Sequence, residues 1–275
     1  MKGASHISVH QQQQLGELLN FFIGTLHWDV TQHLVMSFNA SIGDTPPKGE
    51  TEPPPFSVSS KEAVVPIEAN SPMIIAGPTN SGKTYWIYKL LMHPGMFSAP
   101  VKSVLYCYGV YQPLYNSMKA HLPMPIRFKQ GTPDEGDINN MYDGDFHVII
   151  MDDLMEVVVK SEYLQKLFSQ YCHHRNMTAI MVSQNIFQPG KYTRTISLNS
   201  HIMVLFANKR DESQVSHLAR QLAPRHSKMF MRIYQEVTRR PYGYLLVDCT
   251  PSHPEEIKLR SNVFPDETCF TYALE

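Results

Sequence analysis

The stretch that decides the fold is Ser71-Pro-Met-Ile-Ile-Ala-Gly77-Pro-Thr-Asn-Ser-Gly82-Lys83-Thr84, which continues as Tyr-Trp-Ile-Tyr-Lys-Leu-Leu. It joins a short apolar run, a loop of the form G-x-x-x-x-G-K-T and a segment with the apolar spacing of a helix. A buried strand, a glycine-bounded loop and a helix, in that order, are the context that a phosphate-binding loop requires. The stretch therefore predicts a P-loop, and a chance match in a glycine-rich turn is the less favoured alternative.

The residue types of this loop suggest its chemistry. Glycines 77 and 82 tolerate backbone angles that strain other residues, so successive N–H groups can surround a polyphosphate at the positive end of the helix. Lys83 can reach the β- and γ-phosphates, and the Thr84 hydroxyl can ligate Mg²⁺. The predicted nucleotide-binding residues are Gly77, Pro78, Thr79, Asn80, Ser81, Gly82, Lys83 and Thr84.

Two later apolar runs end in polar residues. Residues 145–153 read Asp-Phe-His-Val-Ile-Ile-Met-Asp-Asp, which is typical of a strand buried on both faces of a parallel sheet. We expect Asp152 to hold Mg²⁺ beside Thr84, and Asp153 to orient and deprotonate the attacking water. The structural alternative is a turn that happens to end in two acids.

The second run, Thr178–Asn185, places Gln184 at the end of another buried strand. A glutamine there can hydrogen-bond the γ-phosphate or the attacking water and so sense hydrolysis. A strand-end amide with local hydrogen-bond partners is the competing interpretation.

The order of strands and helices between residues 71 and 250 predicts an α/β fold, with a mainly parallel sheet covered by helices on both faces. The P-loop, Asp152 and Gln184 each end a strand, and such sheets bind ligands at the carboxyl ends of their strands. These residues should therefore cluster at one edge, which is the strongest argument from the residues for a nucleoside triphosphatase.

Composition sets the predicted boundaries. Residues 1–66 are expected to form an N-terminal appendage and a Pro-rich linker, with a helix or strand pair at Leu15–Phe38 and extended chain at Asp44–Phe56. Residues 67–265 are expected to form the P-loop ATPase domain, and residues 266–275 a C-terminal tail.

Composition also limits the function classes. The 275 residues carry a formal charge of −1, so the overall balance does not indicate a nucleic-acid binder. Between Lys191 and Arg240, however, basic residues outnumber acidic ones, which fits either a solvated face or a surface that tracks phosphates. The four cysteines are widely spaced, which argues against a disulfide framework or a zinc site. No stretch reaches the ~18 apolar residues of a membrane span, so none is expected.

A series of motifs carries a family resemblance. In order they are Gly77-Pro-Thr-Asn-Ser-Gly-Lys-Thr, Tyr106-Cys-Tyr-Gly, Gln130-Gly-Thr-Pro, Ile149-Ile-Met-Asp-Asp, His173-His-Arg-Asn, Ser183-Gln-Asn-Ile-Phe, Arg194-Thr-Ile-Ser-Leu-Asn, Lys209-Arg-Asp, His217-Leu-Ala-Arg-Gln and Arg240-Pro-Tyr-Gly-Tyr-Leu-Leu-Val-Asp. The series resembles that of FtsK/HerA-type DNA-packaging ATPases of the Polinton, Maverick and adintovirus lineage. The resemblance runs from about Pro72 to Pro265 and does not cover the N-terminal residues.

The resemblance implies a RecA-like, ATP- and Mg²⁺-dependent motor that pumps double-stranded viral DNA into a preformed capsid. It further implies a homo-hexamer or similar ring, capsid or portal-vertex partners, and a location in the host nucleus or cytoplasm at assembly sites or with the virion. By position, Lys83 and Thr84 are similar to the Walker A pair, Asp152 and Asp153 to the Walker B pair, and Gln184 to the sensor.

Such motors also use an arginine from the neighbouring subunit to stabilise transition-state charge. Arg194, Arg175 and Arg210 are the candidates, and Arg194 is favoured because it follows the sensor strand. The chain departs from much of the superfamily at Asp153, where glutamate is usual.

Three alternatives to a packaging motor stay open at this point. One is a structural or DNA-tethering protein that binds nucleotide without useful turnover, which the short side chain of Asp153 would suit. Another is a viral P-loop helicase, which a duplex-unwinding assay would identify. A small-molecule kinase is least favoured, since no Arg-rich lid segment follows the predicted sensor.

Overall fold

The computed structural model describes residues 57–61 and 65–274, which form one sheet with helices packed against it. The sheet has ten strands: β1 (Val58–Lys61), β2 (Met73–Ala76), β3 (Val101–Tyr108), β4 (Ile126–Gln130), β5 (Phe146–Asp152), β6 (Met177–Ser183), β7 (Ile202–Phe206), β8 (Tyr244–Asp248), β9 (Leu259–Ser261) and β10 (Cys269–Tyr272). Strands β2, β5, β6, β7 and β8 are buried along their whole length, as their continuous apolar sequences require.

The strand order is β1-β10-β9-β8-β7-β2-β6-β5-β3-β4. The six strands from β7 to β4 run parallel to one another, with the P-loop strand β2 between β6 and β7. The four strands from β8 to β1 are antiparallel. The predicted α/β fold with a mainly parallel sheet is therefore confirmed, with an antiparallel extension on one side.

Eight α-helical segments lie between the strands of the described chain: α1 (Lys83–Met92), α2 (Leu114–His121), α3 (Glu135–Asn140), α4 (Met155–Val158), α5 (Glu162–Lys166), α6 (Thr193–Asn199), α7 (Ser213–Leu222) and α8 (Ser227–Val237). Helix α5 continues through a π-helical turn, Leu167–Tyr171, into a last turn at Cys172–His174. No helix in the described ranges is long and apolar enough to cross a membrane.

Alternate side chains of the strands build two cores, one on each face of the sheet. Ile75 on β2 packs with Trp86 and Leu90 of α1 on one face. Its neighbour Ile74 faces the opposite core, to which α4 to α8 contribute. Helices therefore cover both faces, as the sequence predicts.

Strand β8 runs in the opposite direction to the parallel strands. Between β7 and β8 the chain makes two helical passes, α7 and α8, which pack against each other. Helix α7 takes the chain away from the carboxyl edge of β7, and helix α8 brings it back. Strand β8 therefore starts beside the end of β7, and Phe206 pairs with Tyr244. The turn before β8 consequently lies at the carboxyl edge of the parallel strands.

The described domain extends past both predicted boundaries. Strand β1 lies within the predicted linker and β10 within the predicted tail, and the two pair with each other in the same sheet. The predictions for Leu15–Phe38 and Asp44–Phe56 fall outside the described residues.

Candidate nucleotide-binding site

The P-loop joins the carboxyl end of β2 to the start of α1. Gly82 caps α1 in the left-handed conformation, with φ of 100°, and Asn80 also has a positive φ of 63°. At Gly77, whose N–H donates to the Ser183 carbonyl at 3.2 Å, an added Cβ would lie 2.6 Å from Phe206 Cβ. Glycine at 77 therefore allows close packing of the strand end, and Gly82 supplies an angle that other residues rarely adopt.

Lys83 spans the loop that precedes it. Its ammonium donates to the carbonyl oxygens of Gly77 and Pro78, both at 2.7 Å. Burial lowers the pKa of Lys83, while the charges of Asp152 and Asp153 act in the opposite direction. An ammonium has three protons to donate, so these two contacts fix the cation over the loop and leave a third proton for an anion.

The residues of the loop fit a phosphate group. The Ser81 hydroxyl oxygen is buried and has no hydrogen-bond partner among the described residues. It would lie 2.8 Å from a Cβ at Gly77, so any side chain at that position would fill the space in front of it. An unpartnered donor beside a fixed ammonium and the start of a helix is suited to bind phosphate oxygens.

Asp152 ends β5 and is only 4% exposed. Three hydroxyls donate to its Oδ2: Tyr106 at 2.7 Å, Tyr115 at 3.2 Å and Thr84 at 3.3 Å. Burial raises the pKa of Asp152, and the hydrogen bonds from Tyr106 and Tyr115 and the charge of Lys83 limit that rise. The carboxylate is thus fixed in orientation next to the first turn of α1.

Thr84 and Asp152 together fit a Mg²⁺ ion. Both supply oxygen ligands, which hard cations prefer, and their oxygens are neighbours across the site. Mg²⁺ is usually held by one or two carboxylates together with substrate phosphates and water, rather than by a full protein cage. The described ranges accordingly need no cluster of three or more His, Cys, Asp or Glu side chains, and they contain none.

Asp153 stands at the mouth of the site. Its backbone is left-handed, with φ of 58°, and its N–H donates to the Val182 carbonyl at 3.2 Å. The residue is exposed, whereas Asp152 before it is buried. The two adjacent carboxyls therefore have different environments, and only that of Asp153 is open to solvent.

Gln184 directly follows β6 and is exposed at the same edge. It borders a small cavity together with Gly77, Asn208 and Gln214. Gln214 fixes the chain after the predicted sensor, since its side-chain oxygen accepts from the N–H groups of Ile186 at 2.9 Å and Phe187 at 3.1 Å. The structure thus brings Gln184 next to the P-loop.

The structure does not join Arg194 to these residues. Arg194 is exposed on the first turn of α6, and its side chain makes no hydrogen bond or ion pair within the part of the chain that is described. Arg175, by contrast, donates to Asn139 Oδ1 at 2.7 Å and stacks on the Tyr171 ring. Arg194 is therefore available to another molecule, and its action on a neighbouring subunit stays a prediction.

Three residues of the site, Tyr106, Tyr115 and Gln214, could not be identified from the sequence. Tyr106 and Tyr115 read as ordinary core aromatics, since nothing in their spacing links them to Asp152. Gln214 reads as a polar position on an amphipathic helix. Tyr106 reaches Asp152 because β3 lies beside β5, while Tyr115 and Gln214 reach their partners from helices α2 and α7. None of these arrangements is evident from local sequence.

No protein-family model matches the chain, and no curated protein matches it. Among solved structures it is similar to the genome packaging NTPase B204 from Sulfolobus turreted icosahedral virus 2 in complex with sulfate, at 11% identity over 66% of this chain and 93% of that one, with a TM-score of 0.47. It is also similar to the same NTPase in complex with ATP-gammaS, at 9% identity over 67% and 95% of the two chains, with a TM-score of 0.47. A third similar structure is EssC (ATPases 2 and 3) from Geobacillus thermodenitrificans, at 13% identity over 74% of this chain and 40% of that one, with a TM-score of 0.41. The strand order and the P-loop of this chain themselves define its fold as that of a P-loop NTPase.

Proposed function

We propose that this protein is an ATP-hydrolysing motor of the FtsK/HerA type that translocates double-stranded viral DNA into a preformed capsid. The observation that carries the proposal is the meeting of Lys83, Thr84 and Asp152 at the carboxyl edge of the parallel strands. A lysine, a hydroxyl and a buried carboxylate in this arrangement are the parts that phosphoryl transfer from a nucleoside triphosphate needs.

Each residue has a distinct task in hydrolysis. The P-loop N–H groups and Lys83 bind the phosphates and offset charge that develops on them. Thr84 and Asp152 would hold Mg²⁺, which when bound would neutralise phosphate charge. Asp153 accepts a proton from the attacking water, and Gln184 orients that water or the terminal phosphate.

Asp153 suits this task because it is exposed to water and lies near the Lys83 ammonium. It lies close enough to Lys83 for its charge to affect the pKa of the ammonium. The backbone of Asp153 is left-handed, and its side chain is exposed whereas that of Asp152 is buried.

A basic surface supports the proposal that the motor acts on DNA. The loop before α7, the α7–α8 hairpin and the turn after α8 carry exposed basic residues, here called the basic hairpin: Lys209, Arg210, Arg220, Arg225, Lys228, Arg232, Arg239 and Arg240. Within the described part of the chain most of them have no acidic partner, although Arg239 pairs with Glu236. Phosphate contacts carry no sequence information, which suits a motor that must move along any sequence.

A ring of subunits reconciles the basic hairpin with the near-neutral chain. A few basic side chains per subunit, repeated around a central pore, would neutralise many phosphates at once. The ordered motifs that resemble packaging ATPases support the ring and the capsid as partners, and Arg194 is the proposed arginine acting across the subunit boundary.

Asp153 also favours a second candidate function, that of a structural or DNA-tethering protein that binds nucleotide with little turnover. Aspartate places its carboxylate one methylene closer to the backbone than glutamate does. If that carboxylate does not reach the attacking water, nucleotide would be retained rather than hydrolysed.

Nucleotide binding and steady-state phosphate release by the purified chain test the proposal. Lys83→Ala should abolish hydrolysis, because it removes the charge that neutralises the β- and γ-phosphates. Lys102→Ala is the matched control, since Lys102 is exposed at the opposite end of β3 and pairs with Asp145. Near-normal turnover by Lys83→Ala would refute the proposed phosphate site.

A further inference from the structure

Tyr242 lies in the turn between α8 and β8, at the edge of the sheet that holds the P-loop. Strand β8 is antiparallel to β7, and its first residue, Tyr244, pairs with the last residue of β7, Phe206. The turn before β8 is therefore brought to the carboxyl edge of the parallel strands. Phe206 also packs against Gly77, so this turn and the P-loop share a neighbour.

Tyr242 has an unusual conformation for an aromatic residue. Its φ is 60°, in the left-handed region that bulky side chains seldom adopt. Gly243 fixes the turn, since its N–H donates to the Arg240 carbonyl at 3.0 Å and a Cβ there would collide with the Val237 carbonyl. Strain of this kind persists only where surrounding structure enforces it, and it concentrates at functional sites.

The ring of Tyr242 rests against the start of helix α1. Tyr242 Cδ1 would lie 3.1 Å from a Cβ at Gly82, and Tyr242 Cβ would lie 3.7 Å from it. Gly82 is the residue that caps α1 immediately before Lys83. The aromatic side chain is thus adjacent to the phosphate-binding loop, and it fits there because glycine at position 82 has no Cβ.

The rest of the Tyr242 side chain is open. The residue is 60% exposed. Within residues 57–61 and 65–274 its ring contacts no other ring, and its hydroxyl makes no hydrogen bond. The aromatic ring of Tyr242 is therefore exposed to solvent next to the proposed phosphate site. It is held there by a backbone conformation that is unfavourable for an aromatic residue.

We propose that Tyr242 is the platform on which the base of a bound nucleoside triphosphate stacks. The inference rests on the proposed nucleotide site and names the group that recognises the part of the ligand outside the phosphates. A nucleotide held by the P-loop carries its base one ribose away from the phosphates, beside the first turn of α1. An aromatic face gains from stacking on any base, whereas a phosphate gains nothing from it.

The test compares a ligand that has a base with one that has none. Affinities for ATP and for inorganic tripolyphosphate, both with Mg²⁺, are measured by calorimetry on the full chain and on Tyr242 variants. Tyr242→Ala removes the ring, and Tyr242→Asn removes it with a residue that tolerates the left-handed conformation. Tyr242→Phe retains the ring, and Tyr142→Ala is the control, since Tyr142 is 58% exposed and lies before β5 at the opposite edge.

Both ring-free variants should bind ATP roughly 5- to 140-fold more weakly than the wild type, the range that corresponds to loss of one base–aromatic stack. Their affinity for tripolyphosphate should be unchanged, and Tyr242→Phe and Tyr142→Ala should resemble the wild type with both ligands. The inference is overturned if ATP affinity survives the loss of the ring. It is equally overturned if both ligands weaken together, because Tyr242 would then act by shaping the loop through Gly82.

Failure of the proposed function has a different signature. If the wild-type protein binds neither ATP nor tripolyphosphate, the proposed phosphate site is refuted, and the proposed role of Tyr242 is refuted with it. If the wild type binds both ligands, and Lys83→Ala weakens both while the Tyr242 variants weaken neither, the site stands and only the platform is refuted.

Discussion

Replacing Tyr106 by phenylalanine removes one hydroxyl from the buried carboxylate at the centre of the site. Tyr106 is fully buried, and its hydroxyl makes the shortest of the three hydrogen bonds to Asp152 Oδ2, at 2.7 Å. A hydrogen bond to a charged group contributes about 1.5–3 kcal/mol to stability. The other two donors are at 3.2 and 3.3 Å, so they replace only part of it. We expect the free energy of unfolding to fall by about 1.5–3 kcal/mol, which for a chain of this size lowers Tm by roughly 3–12 °C.

The same substitution should change the pH dependence of nucleotide hydrolysis. Burial raises the pKa of Asp152, and the Tyr106 hydrogen bond opposes that rise because it favours the charged form. Without the hydroxyl the pKa moves further up, so the acid limb of the rate profile should shift to higher pH. Below that pKa the carboxyl is protonated and is a poor ligand for Mg²⁺.

Urea and thermal unfolding at neutral pH, together with rate profiles, measure both effects. Tyr111→Phe is the control, since its hydroxyl donates to Asn116 at the surface and its loss should alter stability by less than about 0.5 kcal/mol. If Tyr106→Phe is as stable as the wild type and its acid limb does not move, the hydroxyl does not hold Asp152 in place.

Two further predictions concern stability. Asp248→Ala leaves the guanidinium of Arg260, which is 1% exposed, without its carboxylate partner, so we expect a loss of about 3–5 kcal/mol in urea unfolding; a loss below 1 kcal/mol would contradict a buried ion pair. Asp137→Asn should cost about 1–3 kcal/mol at pH 7. Burial alone would raise the pKa of Asp137, but hydrogen bonds from Lys129, the backbone of Asp134 and Arg127 outweigh burial and lower it. Its stabilisation is thus present above the unfolded pKa of about 3.9 and is lost progressively as pH falls towards the lowered folded pKa, so the difference in stability between the two proteins should narrow steadily below about pH 4; a difference of the same size at pH 2 as at pH 7 would contradict this cause.

The parallel half of the sheet could be predicted because its sequence carries two independent signals. Strands β2, β5 and β6 are continuous apolar runs, as burial on both faces requires, and each ends in residues with phosphate or metal chemistry. The P-loop fixes the direction of β2 and α1. From these signals the meeting of Lys83, Thr84 and Asp152 follows without knowledge of the remaining strands.

The antiparallel half could not be predicted in the same way. Strand β8 has the same continuous apolar run as its parallel neighbours, and its direction depends on the even number of helical passes before it. Strand β9 is short and contains the buried Arg260 and Ser261, which resemble surface residues in sequence. These polar residues are buried because side chains of the neighbouring strands meet them, Asp248 of β8 for Arg260 and Tyr272 of β10 for Ser261.

The site shows the same division. The residues proposed to act on phosphate stand in a motif whose spacing indicates their chemistry, whereas the contacts that Tyr106 and Tyr242 make with other protein groups cannot be deduced from the motifs in which they stand. Tyr106 donates to Asp152 because β3 is adjacent to β5, and Tyr242 reaches Gly82 because β8 is antiparallel to β7. Both contacts depend on strand order, so neither could be found by spacing along the chain.

Steady-state ATP hydrolysis by the purified protein, with and without double-stranded DNA and alongside Asp153→Asn, tests the central claim most directly. A DNA-coupled motor predicts that duplex DNA strongly stimulates turnover in the wild type and that this stimulation vanishes in the variant, which still binds ATP. ATP binding without hydrolysis in either condition would contradict the motor and favour a protein that holds nucleotide for a structural purpose. Hydrolysis that survives in Asp153→Asn would show that the base lies elsewhere.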